Sequence, residues 1–178
     1  MNKFVNWRSA EADIAAITRA LTFSLIKRIT SRLFPTVQWI TSDELAQWFN
    51  DPVKPQPLLL DTRSEAEYAV SHLNQASCID PVNPTRAKFA GVSKDMPIVV
   101  YCSVGYRSAR VASRLGQAGF SRVYNLEGSI FKWSNEERPI FRNANPTLLV
   151  HPYDPLWGRL LKSRYCVQLT TQVAKPDQ

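Results

Sequence analysis

Apolar residues near the start of this 178-residue chain recur at three- and four-residue steps: Ile14, Ile17, Leu21, Leu25, Ile29 and Leu33. That spacing is the period of one helix face and predicts a helix over residues 10–33, ended by Pro35. From residue 37 the rhythm changes. Short runs rich in apolar and β-branched residues at 37–40, 57–60, 76–79, 97–101 and 122–125 predict strands. Helix signals lie between them. Thr41 or Ser42 can cap a segment reaching Trp48, with Asp43 and Glu44 in its first turn, and Ser64 followed by Glu67 has capping-box spacing. Further helices are predicted at 85–89, 109–118 and 129–135. Strands that are apolar along their length need cover on both faces. The pattern therefore predicts an α/β fold, a central, mostly parallel five-stranded sheet with helices on both faces. Beyond residue 139, prolines at 146, 152, 155 and 176 break the pattern. Residues 156–161 read as one or two helical turns and 166–173 as a weak edge strand. The apolar content of this extension predicts that it folds back on the domain, and no chemistry is read in it. Three parts result: an amphipathic helical extension (1–35), a domain (36–138) and a proline-containing C-terminal extension (139–178).

Composition narrows the class. The chain is 44% hydrophobic and 21% charged, enough for one well-formed core. The charge-free apolar run at 20–26 is too short to span a bilayer, and residues 1–8 lack the apolar stretch of a secretory signal. Three cysteines, an odd number without regular spacing, argue against a disulfide framework and for a reducing compartment, hence a cytoplasmic location. No pair has metal-ligand spacing, so neither metal nor cofactor is expected. The net charge of +7 sits at the ends: +4 over residues 1–35, zero over 36–138 and +3 over 139–178. A nucleic-acid partner would call for a basic stripe on the domain itself, so none is expected. The basic helix at 10–33 leaves three readings open. Its stripe packs on its own domain or in a homodimer, it contacts an anionic membrane surface or another protein, or it is a targeting segment, against which Glu11 and Asp13 count.

The chemistry concentrates in Cys102-Ser103-Val104-Gly105-Tyr106-Arg107-Ser108. A buried strand runs into this cysteine and a helix follows the small-residue loop. Backbone N–H groups of such a loop converge on one anion, and the helix start adds positive potential. Both lower a thiol pKa and supply the thiolate, which is the nucleophile. The plain alternative is a buried structural cysteine.

From residue 40 to 139 the chain resembles a single-domain rhodanese, a sulfurtransferase-type module. The matching pieces are Leu59-Leu60-Asp61-Thr62-Arg63, Glu67-Tyr68 with His72-Leu73, Tyr101-Cys102 through Ser108, Gly119-Phe120, Val123-Tyr124-Asn125-Leu126-Glu127-Gly128, and Trp133. Two departures stand out: Ser71 where a glycine commonly precedes the histidine, and Ser129 in place of a second glycine after Gly128. The resemblance implies that Cys102 takes the outer sulfur of a small anionic donor such as thiosulfate. The resulting persulfide then passes it to a thiol or another thiophilic acceptor. Amides of residues 103–108 would hold the sulfur, with Gly105 allowing the curl and Val104 and Tyr106 shaping the rim. Arg107 either faces the donor or turns inward to brace the loop on Asp61, Glu65 or Glu67. Asp61 and Arg63 read as supports behind the site, and Arg86 as a residue that can enter the pocket from the far side. His72 reads as a structural hydrogen-bonding residue rather than a base, Cys78 as buried beside a strand, and Cys166 as a remote candidate for sulfur relay. Two rival functions stay open: a non-catalytic rhodanese-like regulatory module, and a cysteine phosphatase or arsenate reductase. The latter pattern has five residues between Cys and Arg, where this chain has four.

Overall fold

The computed structural model describes residues 7–82, 89 and 91–168. Its centre is a sheet of β1 (Gln38–Ile40), β2 (Leu58–Asp61), β3 (Ser77–Cys78), β4 (Ile98–Tyr101) and β5 (Val123–Leu126), in the order β1-β5-β4-β2-β3. Every pairing is parallel, with Leu59 opposite Val99 and Val99 opposite Tyr124 at the middle. The helices are α1 (Trp7–Leu33), α2 (Ser42–Phe49), α3 (Glu65–Val70), α4 (Tyr106–Gln117) and α5 (Ser129–Asn135). The expected α/β architecture is present, and its strands fall where the apolar runs predict them. The helix predicted at 85–89 lies mostly outside the described residues, as does Arg86.

Local chemistry sets the helix starts. Thr41 caps α2 in a capping box with Glu44, and Ser64 caps α3 in one with Glu67. Strand residues alternate between two apolar clusters, as parallel strands covered on both faces must. Leu59, Val99, Tyr101 and Leu126 pack with Leu45 and Trp48 of α2 and with Ile130, Phe131 and Trp133 of α5. Leu60, Ile98, Val100 and Val123 pack with Val111, Ala112 and Leu115 of α4.

Two expectations are corrected at the ends of the chain. The stripe of α1 does not pack on the domain: Ile14, Ile17, Leu21 and Leu25 are each more than half exposed. The helix docks by its opposite side. Phe23 and Thr30 are buried, and Lys27 pairs with Glu127 at the end of β5 and lies 5.9 Å over the Trp39 ring. In the C-terminal extension, β6 (Ile140–Arg142) and β7 (Asn145–Thr147) form an antiparallel hairpin that the sequence pattern missed. Phe141 and His72 exchange backbone hydrogen bonds of 2.8 Å. Val150, Leu160, Leu161 and Tyr165 are buried. Of the weak strand predicted at 166–173, Cys166 makes a single bridge to Val150, and residues 169–173 lie outside the described residues.

Candidate active site

Cys102 follows β4 directly, at the carboxyl edge of the sheet where the crossovers of parallel strands leave an opening. The helix behind it starts earlier than its sequence pattern indicates. Tyr106, Arg107 and Ser108 form the first turn of α4, so only Ser103, Val104 and Gly105 are loop. Gly105 caps that helix with φ +109°, a left-handed conformation that costs a side-chain-bearing residue dearly. The Gly105 N–H donates to Cys102 Sγ at 3.1 Å. Its carbonyl is held from behind by Asn125 Nδ2 at 2.8 Å. Ser108 is fully buried, and its hydroxyl makes no hydrogen bond of good geometry among the described residues, yet it lies close enough to the sulfur to draw the thiol down. Burial pushes the Cys102 thiol up. The positive charge of Arg107 and hydrogen bonds from Ser108 and Gly105 outweigh it and bring the thiol below its ordinary value of 9.0. The site thus stabilises the thiolate more than the surroundings of a free cysteine do.

Arg107 is a brace. Its two terminal nitrogens donate to the two oxygens of Glu67 at 2.8 and 2.7 Å, and one also donates to Ser103 Oγ at 2.9 Å. Of the three carboxylates considered, Glu67 is the partner. It also accepts from the Ser64 amide at 3.0 Å and from the hydroxyls of Ser64 and Ser103 at 2.9 and 3.0 Å. Burial alone would raise this carboxyl, but Arg107 and the Ser64 donors hold it at about 2. One residue therefore caps α3, anchors Ser103 and orients Arg107. The capping-box spacing was visible in sequence, but its second use was not.

Asp61 and Arg63 form a separate, wholly buried pair. Arg63 Nη2 reaches Asp61 Oδ2 at 2.7 Å, Nε reaches Oδ1 at 3.0 Å, and Nη2 also donates to the Ser71 carbonyl. The pair ties β2 to the end of α3, which carries Glu67, and makes no hydrogen bond to the cysteine loop among the described residues. Ser71, one of the two departures, is extended at φ −168° and needs no glycine. The other has a function that sequence reasoning missed. Ser129 adopts φ +51°, and its Oγ accepts the Cys102 amide at 3.1 Å while donating to the Leu126 carbonyl at 3.2 Å. The amides of Ile130 and Phe131 take the carbonyls of Cys102 and Ser103. The start of α5 thus fixes the backbone from which the loop departs.

His72 stacks on Tyr68 at 4.2 Å, and its Nδ1 lies 2.9 Å from the Leu73 carbonyl. Cys78 is half-buried on β3, where its thiol lies 3.6 Å from the Arg63 carbonyl. Cys166 is half-buried too, and burial raises its thiol, the wrong direction for a sulfur relay.

Above Cys102 lies a pocket of about 300 Å³. Ser103, Val104, Tyr106 and Arg107 form its base, Ile26, Ile29 and Thr30 of α1 one wall, and Tyr153 and Trp157 of the C-terminal extension another. The extension, whose sequence pattern indicates no chemistry, therefore contributes to the site, and the Tyr153 ring lies 4.8 Å from the Arg107 guanidinium. Neither wall carries a signal in sequence, because each borders the cysteine only after folding.

Residues 41–136 match the family described as the rhodanese-like domain. A sulfurtransferase of Allochromatium vinosum is 34% identical over 104 residues, which span 58% of this chain and 94% of that protein. A tRNA uridine(34) hydroxylase of Sodalis glossinidius is 34% identical over 90 residues, 47% of this chain but 25% of the hydroxylase. The chain thus spans nearly all of the first relative and about a quarter of the second. Among solved structures, a rhodanese-related protein from Thermoplasma volcanium superposes with a TM-score of 0.51 at 24% identity, covering 59% of this chain and 98% of its own, a likeness of fold. With more than half of its length matched and the cysteine loop inside the match, this chain belongs to the rhodanese-like family, whose members include sulfurtransferases.

Proposed function

We propose that this protein transfers sulfane sulfur through a persulfide on Cys102. The observation that carries the reading is the thiol itself: Cys102, 1% exposed, lies at the floor of a pocket, and its thiol is held below its ordinary pKa by Arg107, Ser108 and the Gly105 amide. In the first half-reaction the thiolate attacks the outer sulfur of a donor such as thiosulfate. The donor S–S bond breaks, sulfite leaves with the electron pair, and Cys102 carries the sulfur as a persulfide. In the second, a thiolate or cyanide attacks that outer sulfur and Cys102 leaves as thiolate. The Gly105 amide, aimed at the sulfur, stabilises the thiolate and the persulfide anion without reorganising.

The phosphatase reading is weaker on two counts. Only four residues separate Cys102 from Arg107, and the guanidinium that would grip a phosphate is already engaged by Glu67. Intact-protein mass measurement after thiosulfate treatment tests the proposal. The expected result is a gain of one sulfur atom, reversed by cyanide or dithiothreitol and absent in Cys102→Ala. Equal behaviour of wild type and mutant with thiosulfate and with organic sulfane donors alike would overturn it.

A further inference from the structure

The walls of the pocket narrow the substrate. We propose that the sulfur donor this site selects is an organic sulfane, an apolar thiosulfonate or persulfide, rather than the inorganic thiosulfate dianion. The inference rests on the sulfurtransferase reading and adds the chemistry of the group attached to the transferred sulfur.

Three observations converge. The first is charge. Arg107 is the one charged residue lining the pocket among the described residues, and both oxygens of Glu67 already neutralise it. A dianion entering here gives up water for loop amides and neutral hydroxyls, and burying charge without a free counter-ion is costly. The second is surface. Ile26 and Ile29 face Tyr153 and Trp157 across the space above Cys102, with Val104 at the base. The third is size. An apolar cavity of ~150 Å³ takes up benzene, and this pocket has about 300 Å³, room for an aryl or short alkyl body with its sulfur pointed at Cys102. Both apolar walls come from outside residues 41–136, the part of the chain that matches the family. They are additions of this protein to the shared module.

The chemical step balances without a further reactant. The Cys102 thiolate attacks the terminal sulfur of R–SO2–S⁻, the S–S bond breaks, R–SO2⁻ departs with the electron pair, and the persulfide remains on Cys102. With R–S–SH the departing group is R–S⁻ and the proton stays with the transferred sulfur.

Turnover with cyanide as acceptor, followed as thiocyanate, tests this across thiosulfate, methanethiosulfonate, propanethiosulfonate and benzenethiosulfonate. The expected result is a kcat/KM that climbs about fourfold for each methylene buried, the equivalent of ~0.8 kcal/mol, with thiosulfate poorest. Ile26→Ala should cut the preference for benzenethiosulfonate over methanethiosulfonate about tenfold. Ile29→Lys is the second variant, and since Ile29 is 49% exposed the fold tolerates it. It places a cation at the rim and should shift the ranking toward thiosulfate. A flat series, or thiosulfate preferred by the wild type, overturns the inference while leaving the sulfurtransferase reading intact. Failure of every donor to load sulfur on Cys102 overturns both.

Discussion

At the residue scale the site depends on charges matched in pairs. Removing Arg107 leaves the Glu67 carboxylate buried with only hydroxyl and amide donors, and removes the charge that draws the Cys102 thiol down. Arg107→Gln should cost about 3 kcal/mol of stability. It should also move the pH midpoint of Cys102 alkylation by iodoacetamide upward. Chemical denaturation and a pH–rate profile read the two effects separately, and an unmoved midpoint would show that Arg107 does not act on the sulfur. Ser129 offers a finer probe. Ser129→Ala strips the Cys102 amide of its acceptor, a loss of about 1–3 kcal/mol. Ser129→Gly loses the same bond but relieves the left-handed backbone, and should be more stable than the alanine variant by about 1 kcal/mol. Denaturation midpoints of the pair decide whether the serine earns its place through hydrogen bonding.

At the element scale α1 shows how periodicity identifies a helix without identifying its buried side. The spacing of Ile14, Ile17, Leu21 and Leu25 defines a helix face, and α1 forms. What buries Phe23 and Thr30 instead is the surface offered to it: Glu127 for Lys27, and the Trp39 ring beneath that same ammonium. Two near neighbours in sequence should therefore respond in opposite ways. Phe23→Ala, which empties a packed position, should cost about 3 kcal/mol. Leu21→Ala, at 66% exposure, should stay within about 0.5 kcal/mol. Thermal denaturation of both variants checks this, and the reverse order would mean that the stripe is the packed face. No described helix is long and apolar enough to cross a membrane.

At the scale of the whole molecule, one carboxylate sets a response of stability to pH. Glu67 titrates at about 2 in the folded protein against an ordinary 4.5. Its folded value lies below its unfolded one, so its contribution to stability is complete above about pH 4.5 and is lost as pH falls toward 2. Equilibrium denaturation at a series of pH values should show stability falling across that window, with the slope reduced in Glu67→Gln. An unchanged slope would place the acid sensitivity elsewhere. The pocket is likewise a property of the whole chain, since its walls come from α1, the cysteine loop and the C-terminal extension.

What the sequence determined by itself is what near neighbours decide. The five apolar runs, the capping box of Ser64 and Glu67 and the small-residue turn after Cys102 each follow from local spacing, so the sheet and the cysteine loop were legible. Tertiary structure alone decided which groups meet: Glu67 with Arg107 across 40 positions, and Ser129 with the Cys102 amide across 27. It also chose the side of α1 that is buried and brought Tyr153 and Trp157 over the sulfur. The reason is physical. A helix period or a turn is set by bonds within a few residues, whereas burial and charge pairing depend on the surface that a distant segment presents after folding.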